Sequence, residues 1–224
     1  MCSQTLPLVC PLCASQHTHF YHQDKRRRYW HCLNCELVFV EPEYLLSRAQ
    51  EREIYELHEN DPSDEGYRRF LQRAVTPLAK HLTAVHNSAL DYGCGPAPTL
   101  AILLAELGLT VDNYDPLFAP NRPALQRQYD VVTCTEVVEH FHTPQRDWQQ
   151  LTQRLQPGGL LVVMTKRVLD AEAFSRWHYK NDPTHVCFYH DNTFAYLAES
   201  LGWSMELADK DVVIMKRPLH DSGK

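Results

Sequence analysis

The sequence predicts an α/β protein with a parallel sheet covered by helices on both faces, preceded by a small cysteine-rich module. From residue 88 to about residue 165, short apolar strands alternate with helices, which is typical of parallel strands joined by crossover helices. Two close cysteine pairs lie within the first 42 residues. With 224 residues, 44% of them hydrophobic, the chain can bury one full core and a smaller appendage.

Four segments follow from these patterns. Residues 1–42 form the cysteine module, and residues 43–87 have helical spacing with a break near Pro62. Residues 88–217 form the α/β domain, and residues 218–224 a flexible tail. Near the end of the domain, we expect Asp191 to cap a helix that stops at Gly202, followed by two antiparallel edge strands.

Composition excludes several classes of protein. A formal net charge of -6 argues against a chain that binds polyanions over its whole surface. There is no apolar run of about 18 residues and no secretion signal in the first twenty positions, so no membrane role is expected. Because the remaining cysteines are scattered through apolar surroundings, we expect a reducing, cytoplasmic environment.

The cysteine pairs predict a metal site. Cys10-Pro-Leu-Cys13 and Cys32-Leu-Asn-Cys35 are separated by eighteen residues, a spacing that suits four thiolates around one structural zinc ion. Buried or disulfide-linked cysteines are the alternative. Between the pairs, the basic run at 25–28 with Tyr29 and Trp30 could bind phosphate and stack a base, although a solvated hairpin tip is favoured by the acidic balance of the chain.

A glycine-containing turn follows the first strand of the α/β domain. The segment 90–98 reads Leu-Asp-Tyr-Gly-Cys-Gly-Pro-Ala-Pro, and such a turn can bring backbone N–H groups against a nucleotide or amino-acid ligand. The third glycine of a dinucleotide motif is absent. Asp115 follows Asp91 by 24 positions, at the end of the second strand, where a carboxylate can accept two hydrogen bonds from ribose hydroxyls.

Together with the segment 129–141 and the Leu-Gln-Pro-Gly-Gly turn at 155–159, this region resembles the class I S-adenosylmethionine-dependent methyltransferases. The resemblance covers about residues 88–165 and implies a Rossmann-like methyltransferase sheet with S-adenosylmethionine as cofactor. NAD binding is disfavoured because two segments belong to the methyltransferase pattern. They are the Glu-Val-Val-Glu-His cluster at 136–140, after the fourth strand, and the Pro-Gly-Gly turn at 157–159. The implied cofactor-binding residues are Asp91, Gly93, Cys94, Gly95, Asp115, Thr135 and Glu136.

One feature departs from that family. Only the fourteen residues 116–129 separate the ribose acid from the next strand, too few for a helix and a parallel strand. We therefore predict that the usual third strand is missing or vestigial, which leaves six strands.

Catalytic candidates follow the fourth and fifth strands. Methyl transfer to an O–H or N–H group needs a base, and Asp182 is close enough in sequence to orient the imidazole of His185. An equally supported alternative is that these two side chains only fix the conformation of the loop by hydrogen bonding, without a catalytic role. Glu136 is a third catalytic candidate. The region 43–87 is expected to cover the cofactor, and the candidate substrate or lid residues are His58, Trp177, Tyr179 and Tyr189.

The sequence thus predicts a methyltransferase that acts on a small molecule or a modified-sugar type of substrate. An RNA base methyltransferase that uses the basic zinc module is one alternative. A catalytically inactive binding protein with the same fold is another, disfavoured because the glycine pair, Asp115 and the cluster 136–140 are all retained.

Overall fold

This computed structural model describes residues 8–57 and 61–220. In chain order, its strands and α-helices are β1 (Thr18–Gln23), β2 (Arg28–Cys32), β3 (Val38–Val40), α1 (Arg48–Tyr55), α2 (Glu65–Ala79), β4 (Ser88–Tyr92), α3 (Thr99–Glu106), β5 (Thr110–Tyr114), β6 (Tyr129–Thr135), α4 (Pro144–Thr152), β7 (Leu155–Met164), α5 (Ala171–Arg176), β8 (Cys187–Phe188), α6 (Asp191–Leu201), β9 (Ser204–Leu207) and β10 (Val212–Lys216). Short 3-10 helices are Pro42–Tyr44, Arg122–Gln126, Val138–His140 and His178–Asn181.

The main sheet has six strands in the order β5-β4-β6-β7-β10-β9. The first four are parallel, and β10 is antiparallel to both β7 and β9. Both the six-stranded sheet and the antiparallel edge pair confirm the predictions. Between β5 and β6 the chain forms only the 3-10 helix Arg122–Gln126, because the short connection has no room for a further helix and strand.

Apolar side chains fix the helices on the two faces of this sheet. On one face, α2 contributes Leu71 and Leu78 to a core shared with α3 and with Val131 and Val162 of the sheet. The core of the other face joins α4, α6 and the N-terminal strands. The sheet is therefore covered on both sides, as its continuous apolar strands predict.

The N-terminal strands belong to a second, four-stranded antiparallel sheet in the order β1-β2-β3-β8. Its last strand comes from far along the chain, since Val38 pairs with Phe188 and Phe39 with Cys187. This sheet therefore crosses the predicted boundary at residue 42. A two-residue strand has no periodicity that sequence analysis can detect.

Capping residues determine where several helices begin and end. Ser47 and Gln50 form a capping box at the start of α1, and Asp64 caps α2. His190, rather than the predicted Asp191, takes the N-cap position of α6, and Gly202 ends that helix in the left-handed conformation, as predicted. None of the helices in the described segments is long and apolar enough to cross a membrane.

Candidate active site

A cavity of about 700 Å³ opens at the carboxyl ends of β4, β5 and β6. Its walls come from the loops after these strands, from α1 and α2, and from the loop that contains Asp182 and His185. Because parallel strands end at the same edge, residues distant in sequence meet here. All the predicted cofactor residues line it, namely Asp91, Gly93, Cys94, Gly95, Asp115, Thr135 and Glu136.

The glycine turn is packed tightly against the loop after β6. Gly93 has φ +82°, and a Cβ atom there would lie 2.4 Å from Cγ2 of Val137, so no side chain fits. The N–H groups of Gly93 and Cys94 donate to the carbonyl oxygen of Tyr114, at 2.7 and 3.2 Å. These two amides therefore satisfy a carbonyl at the end of β5.

Asp115 is buried at the end of β5, with its side chain held by three backbone donors. Oδ1 accepts hydrogen bonds from the N–H groups of Leu117 and Phe118, and Oδ2 accepts one from Gly95 at 3.1 Å. A carboxylate offers about four acceptor positions, which leaves one for a ribose hydroxyl. The sequence predicted two such bonds, but the turn after β5 uses the other positions.

Two further acids have unusual environments. Asp91 is 2% exposed, accepts a hydrogen bond from Oγ1 of Thr133 at 3.1 Å, and has its pKa raised to about 7 by burial. Glu136 has a φ of 53°, a left-handed conformation that is costly for a side chain with a Cβ atom. Burial, together with the nearby Glu139, raises the pKa of Glu136 to about 8. Among the described residues, its Oε1 atom has no hydrogen-bond partner.

Behind Glu136 lies a buried tyrosine and carboxylate pair. The hydroxyl of Tyr179 donates to Glu139, which is fully buried, and lies 3.3 Å from Oε2 of Glu136 and 3.2 Å from Oγ1 of Thr165. Burial raises the pKa of Glu139 to about 7. Tyr179 therefore supports the cavity wall from behind.

The remaining residues predicted to contact the substrate or form the lid lie in different places. Tyr189 is fully buried and bonds to Trp148 and the carbonyl of Val138, so its predicted substrate contact is wrong. Trp177 packs on the rings of Phe174 and Tyr179 and does not line the cavity. His58 lies outside the described residues.

His185 and Asp182 both line the cavity, but they are not joined by the hydrogen bond that their spacing suggests. His185 Nε2 is 3.8 Å from Oδ2 of Asp182, whose Oδ1 instead accepts bonds from the N–H and hydroxyl of Thr184. The imidazole is oriented by its Nδ1 atom, 2.8 Å from the carbonyl oxygen of Tyr179. Burial, and then the neighbouring His140, lower the pKa of His185 to about 4.

The sequence predicted that the region 43–87 covers the cofactor, but it did not identify which side chains of α1 line the cavity. Arg48, Glu51 and Tyr55 all line the cavity, and Tyr55 makes an edge-on contact with His140. The spacing i, i+3, i+7 places these three side chains on one helix face, and that signal was available in the sequence. His140 also lines the cavity and contacts the ring of His185.

Within the described parts of the chain, two groups of side chains have the proximity that a metal ion needs. Glu139, His140 and His185 place ligand atoms within 4.8 Å of one another at the cavity edge, and the four paired cysteines do so in the N-terminal module. In that module, Sγ of Cys10 is 3.5 Å from that of Cys35, and Cys13 is 3.5 Å from Cys32. A tetrahedral zinc ion with bonds of about 2.3 Å separates its sulfurs by about 3.8 Å.

The two cysteine turns have the same backbone conformation. Ala14 and Glu36, each directly after the second cysteine of a pair, have φ values of 58° and 59°. Their N–H groups donate to the carbonyls of Cys10 and Cys32. All four cysteines are free thiols that form no disulfide bond. This donor set fits one zinc ion with four thiolate ligands and no open position.

Comparison with curated proteins finds relatives named ubiquinone biosynthesis O-methyltransferases. A ubiquinone biosynthesis O-methyltransferase of Pectobacterium atrosepticum is 35% identical over 78 residues, which cover 35% of this chain and 32% of that protein. The corresponding enzyme of Klebsiella pneumoniae is 30% identical over 122 residues, which cover 52% and 49%. The chain therefore matches about a third to a half of the length of these relatives.

Solved structures show the same fold at low identity. A methyltransferase from Archaeoglobus fulgidus that depends on S-adenosylmethionine superposes with a TM-score of 0.51 and 17% identity, over 75% of this chain and 99% of that one. A chain from the complex of the Haloferax volcanii Trm112 methyltransferase activator with a methyltransferase gives a TM-score of 0.52 and 12% identity, over 71% and 95%.

The family model described as a methyltransferase domain matches residues 63–208. That range includes the glycine turn, Asp115, both loops that carry the catalytic candidates and the helix α2. The chain therefore belongs to the methyltransferase domain family, and it has the fold of the solved methyltransferases to which it is similar.

Proposed function

We propose that this enzyme transfers the methyl group of S-adenosylmethionine to an oxygen atom of a small molecule, with His185 as the base. The main observation in support of this proposal is that His185 has a fixed orientation in the same cavity as the predicted cofactor residues. Its Nδ1 atom bonds to a carbonyl oxygen and must donate, so Nε2 carries the lone pair that can accept a proton.

The charges around the cavity suit a cationic cofactor. Asp91 and Glu136 are buried carboxyls with pKa values raised to about 7 and about 8, and a bound cation would favour their ionised forms. Asp115 keeps one acceptor position for a ribose hydroxyl. When bound, S-adenosylmethionine supplies an electrophilic methyl group on a sulfonium cation.

The chain's own residues would handle the acceptor proton. The lowered pKa of His185 keeps the imidazole neutral at pH 7, so it is able to accept a proton from a hydroxyl group. The Asp182 carboxylate, 3.8 Å away, would then stabilise the charged imidazolium. In this proposal Asp182 acts through charge, without a hydrogen bond to the ring.

Several observations favour a small acceptor over RNA. The cavity volume of about 700 Å³ falls in the range of small-molecule sites, roughly 300–1,000 Å³. Tyr29 and Trp30 are buried, so neither ring is available to stack a base, and Arg27 is buried as well. The names of the curated relatives specify transfer to oxygen, which supports a hydroxyl nucleophile.

We also propose that the chain keeps the segment boundaries predicted from its sequence, apart from β8, which joins the N-terminal sheet from far along the chain. In this arrangement α1 is part of a lid and the cysteine module is a structural zinc ribbon. The side chains of α1 that line the cavity support the lid, and the matched cysteine turns support the metal. The zinc ion would stabilise the module without taking part in methyl transfer.

Methyl-labelled S-adenosylmethionine tests the acceptor class. The purified chain is incubated with 3,4-dihydroxybenzoate, a nucleotide-linked sugar and total RNA in separate reactions, and the products are analysed by mass spectrometry. We expect a methyl ether of one of the two small molecules. Label found in RNA alone would overturn the proposal in favour of an RNA methyltransferase.

Substitution of His185 tests the base. We expect His185→Gln to lower kcat for the methylated acceptor by roughly 10²–10⁴-fold, with unchanged affinity for S-adenosylhomocysteine. The control is His190→Gln, since Nε2 of His190 contacts the carbonyl of Leu169 outside the cavity lining. Undiminished kcat in the His185 variant would remove His185 from the mechanism.

A further inference from the structure

The loop that contains Asp182 and His185 has no regular structure of its own after the 3-10 helix His178–Asn181. It is nevertheless buried, with Thr184 fully covered and His185 only 8% exposed. Buried carbonyl groups need donors, and neither a strand nor a helix supplies them here. The partners of these carbonyls therefore decide where the loop lies.

One side chain from the cysteine module donates four hydrogen bonds here, three to carbonyls of the loop and one to a carbonyl of the preceding 3-10 helix. Nη1 of Arg27 donates to the carbonyls of Pro183 and His185, at 3.1 and 2.8 Å. Nη2 donates to the carbonyls of Asp182, at 2.9 Å, and of Lys180. Arg27 is 6% exposed. Its planar fork can reach several fixed acceptors at once, which the single ammonium of lysine cannot do.

Arg27 is itself held by the hairpin between β1 and β2. The N–H groups of Arg26 and Arg27 both donate to Oδ1 of Asp24, at 2.8 Å. Oδ2 of Asp24 accepts a bond from the hydroxyl of Tyr29 and lies 3.3 Å from Nζ of the buried Lys180. The hairpin tip therefore provides a cation, Arg27, to the carbonyls of the loop and an anion, Asp24, to Lys180 just before the loop.

The same module also holds the far end of the loop. The N–H of Val40 donates to the carbonyl of Val186 at 3.1 Å, and β3 pairs with β8 directly afterwards. Cys32 ends β2, and Cys35 precedes β3, so the proposed metal site lies at the base of these strands. The loop is clamped by Arg27 at one end and by β3 at the other.

We propose that Arg27 is a positioning residue for methyl transfer, and that the cysteine module holds Asp182 and His185 at the cavity through it. This inference rests on the proposed role of His185. It assigns the basic hairpin tip a function inside the enzyme, where its guanidinium orders the catalytic loop instead of binding an external polyanion.

Hydrogen–deuterium exchange on the full chain with bound S-adenosylhomocysteine tests this directly. The amides of Thr184, His185 and Val186 are bonded to Asp182, Asp182 and Glu139, respectively. We expect Arg27→Gln to raise their exchange rates at least tenfold, and Arg27→Lys to do so less. Lys25→Gln, which removes one charge from the same tip and has no bond to the loop among the described contacts, should leave them unchanged.

Further readouts separate positioning from a general loss of structure. Affinity for S-adenosylhomocysteine and metal content should match the native chain in Arg27→Gln and Arg27→Lys, and kcat for the methylated acceptor should fall at least tenfold with an unchanged KM for S-adenosylmethionine. In Arg27→Ala, millimolar ethylguanidine should restore both loop protection and kcat by filling the vacated site.

The two proposals fail in different ways. Native-like loop exchange in Arg27→Gln, or native kcat in Arg27→Ala without ethylguanidine, would overturn the positioning role and leave the His185 test intact. Undiminished kcat in His185→Gln, with a deprotected loop in Arg27→Gln, would instead remove the base and keep the structural dependence of the loop on Arg27. If Arg27→Gln fails to fold, Arg27→Lys and the ethylguanidine rescue decide the question.

Discussion

Three acidic side chains define the chemistry at the residue scale. Asp91, Glu136 and Glu139 are buried near the ends of β4 and β6, and burial raises the pKa of each one well above its usual range. Few donors compensate for this desolvation, since one oxygen of Glu136 and one of Glu139 have no hydrogen-bond partner among the described residues. Such carboxyls remain costly to ionise until a cation or a donor arrives.

Cofactor binding should therefore release a proton. Since a bound cation lowers the raised pKa of Glu136, affinity for S-adenosylmethionine should increase as pH rises from 6 to 8, by up to about tenfold per pH unit for one linked proton. Titration calorimetry in two buffers with different ionisation enthalpies measures the release. Glu136→Gln should flatten the dependence, and Glu106→Gln, at an exposed ion pair with Arg68, should not. A pH-independent affinity in the native chain would contradict this.

Glu139 should make the fold less stable as pH rises. Its pKa is about 7 in the folded state against an ordinary value of 4.5, so the folded chain holds this proton more tightly than the unfolded one. The stability is fully present below pH 4.5 and is lost as pH rises through 7. We expect Glu139→Gln to reduce this loss and to raise Tm at pH 8 by on the order of 5 °C, measured by circular dichroism. An equal pH slope in the variant and the native chain would refute the assignment.

At the scale of elements, α1 contributes to the site although none of its residues is buried. One of its faces lines the cavity, and Glu51 lies 2.8 Å from Nε2 of His142 in the loop before α4. This contact and the ring contact between Tyr55 and His140 help to hold the helix over the cavity. The side chains involved are only partly exposed, so the pair is less screened than one on the open surface.

Breaking that pair should weaken cofactor retention. Glu51→Gln should weaken S-adenosylhomocysteine binding by roughly two- to tenfold, chiefly through faster dissociation, because the pair contributes about 1 kcal/mol. Arg52→Gln is the matched control, since its pair with Glu56 on the same helix is exposed on both sides. Stopped-flow dissociation kinetics measure the difference. Equal dissociation rates in the two variants would mean that α1 does not act as a lid.

At the scale of the whole molecule, the two sheets are parts of one folded unit. The strand β8, from the C-terminal part of the chain, completes the N-terminal sheet. One apolar cluster extends from Trp30 and Phe39 of that sheet to Val132 and Leu161 of the main sheet. The hydrogen bonds from Arg27 to the loop that contains Asp182 and His185 also link the N-terminal sheet to the rest of the protein. Loss of the cysteine cluster should therefore affect the entire protein, because its strands share a core with the methyltransferase domain.

Substitution of a cysteine ligand tests this coupling. Cys35→Ser should lose one equivalent of zinc per chain, and its Tm should fall by on the order of 10 °C, in a single unfolding transition. Cys94→Ser, which lies in the glycine turn, should keep its metal. Atomic emission and calorimetry give the two readouts. Two separate transitions, or full zinc content in Cys35→Ser, would contradict the shared unit.

Local patterns in the sequence were sufficient for most of the fold. Alternating apolar strands predicted the parallel sheet, the short segment 116–129 predicted the missing strand, and Gly202 predicted the end of α6. The residues predicted for the cofactor also line one cavity. These features depend on periodicity, connection length and backbone conformation, which neighbouring residues determine.

Only the tertiary structure decided the partners of the loop that contains Asp182 and His185. Arg27 is more than 150 positions away from the carbonyls it binds, Tyr189 turns into the core, and His185 is oriented by a backbone carbonyl instead of Asp182. The left-handed conformation of Glu136 is likewise imposed by its surroundings. Hydrogen bonds and desolvation depend on which distant segments pack together, and no spacing within one segment carries that information.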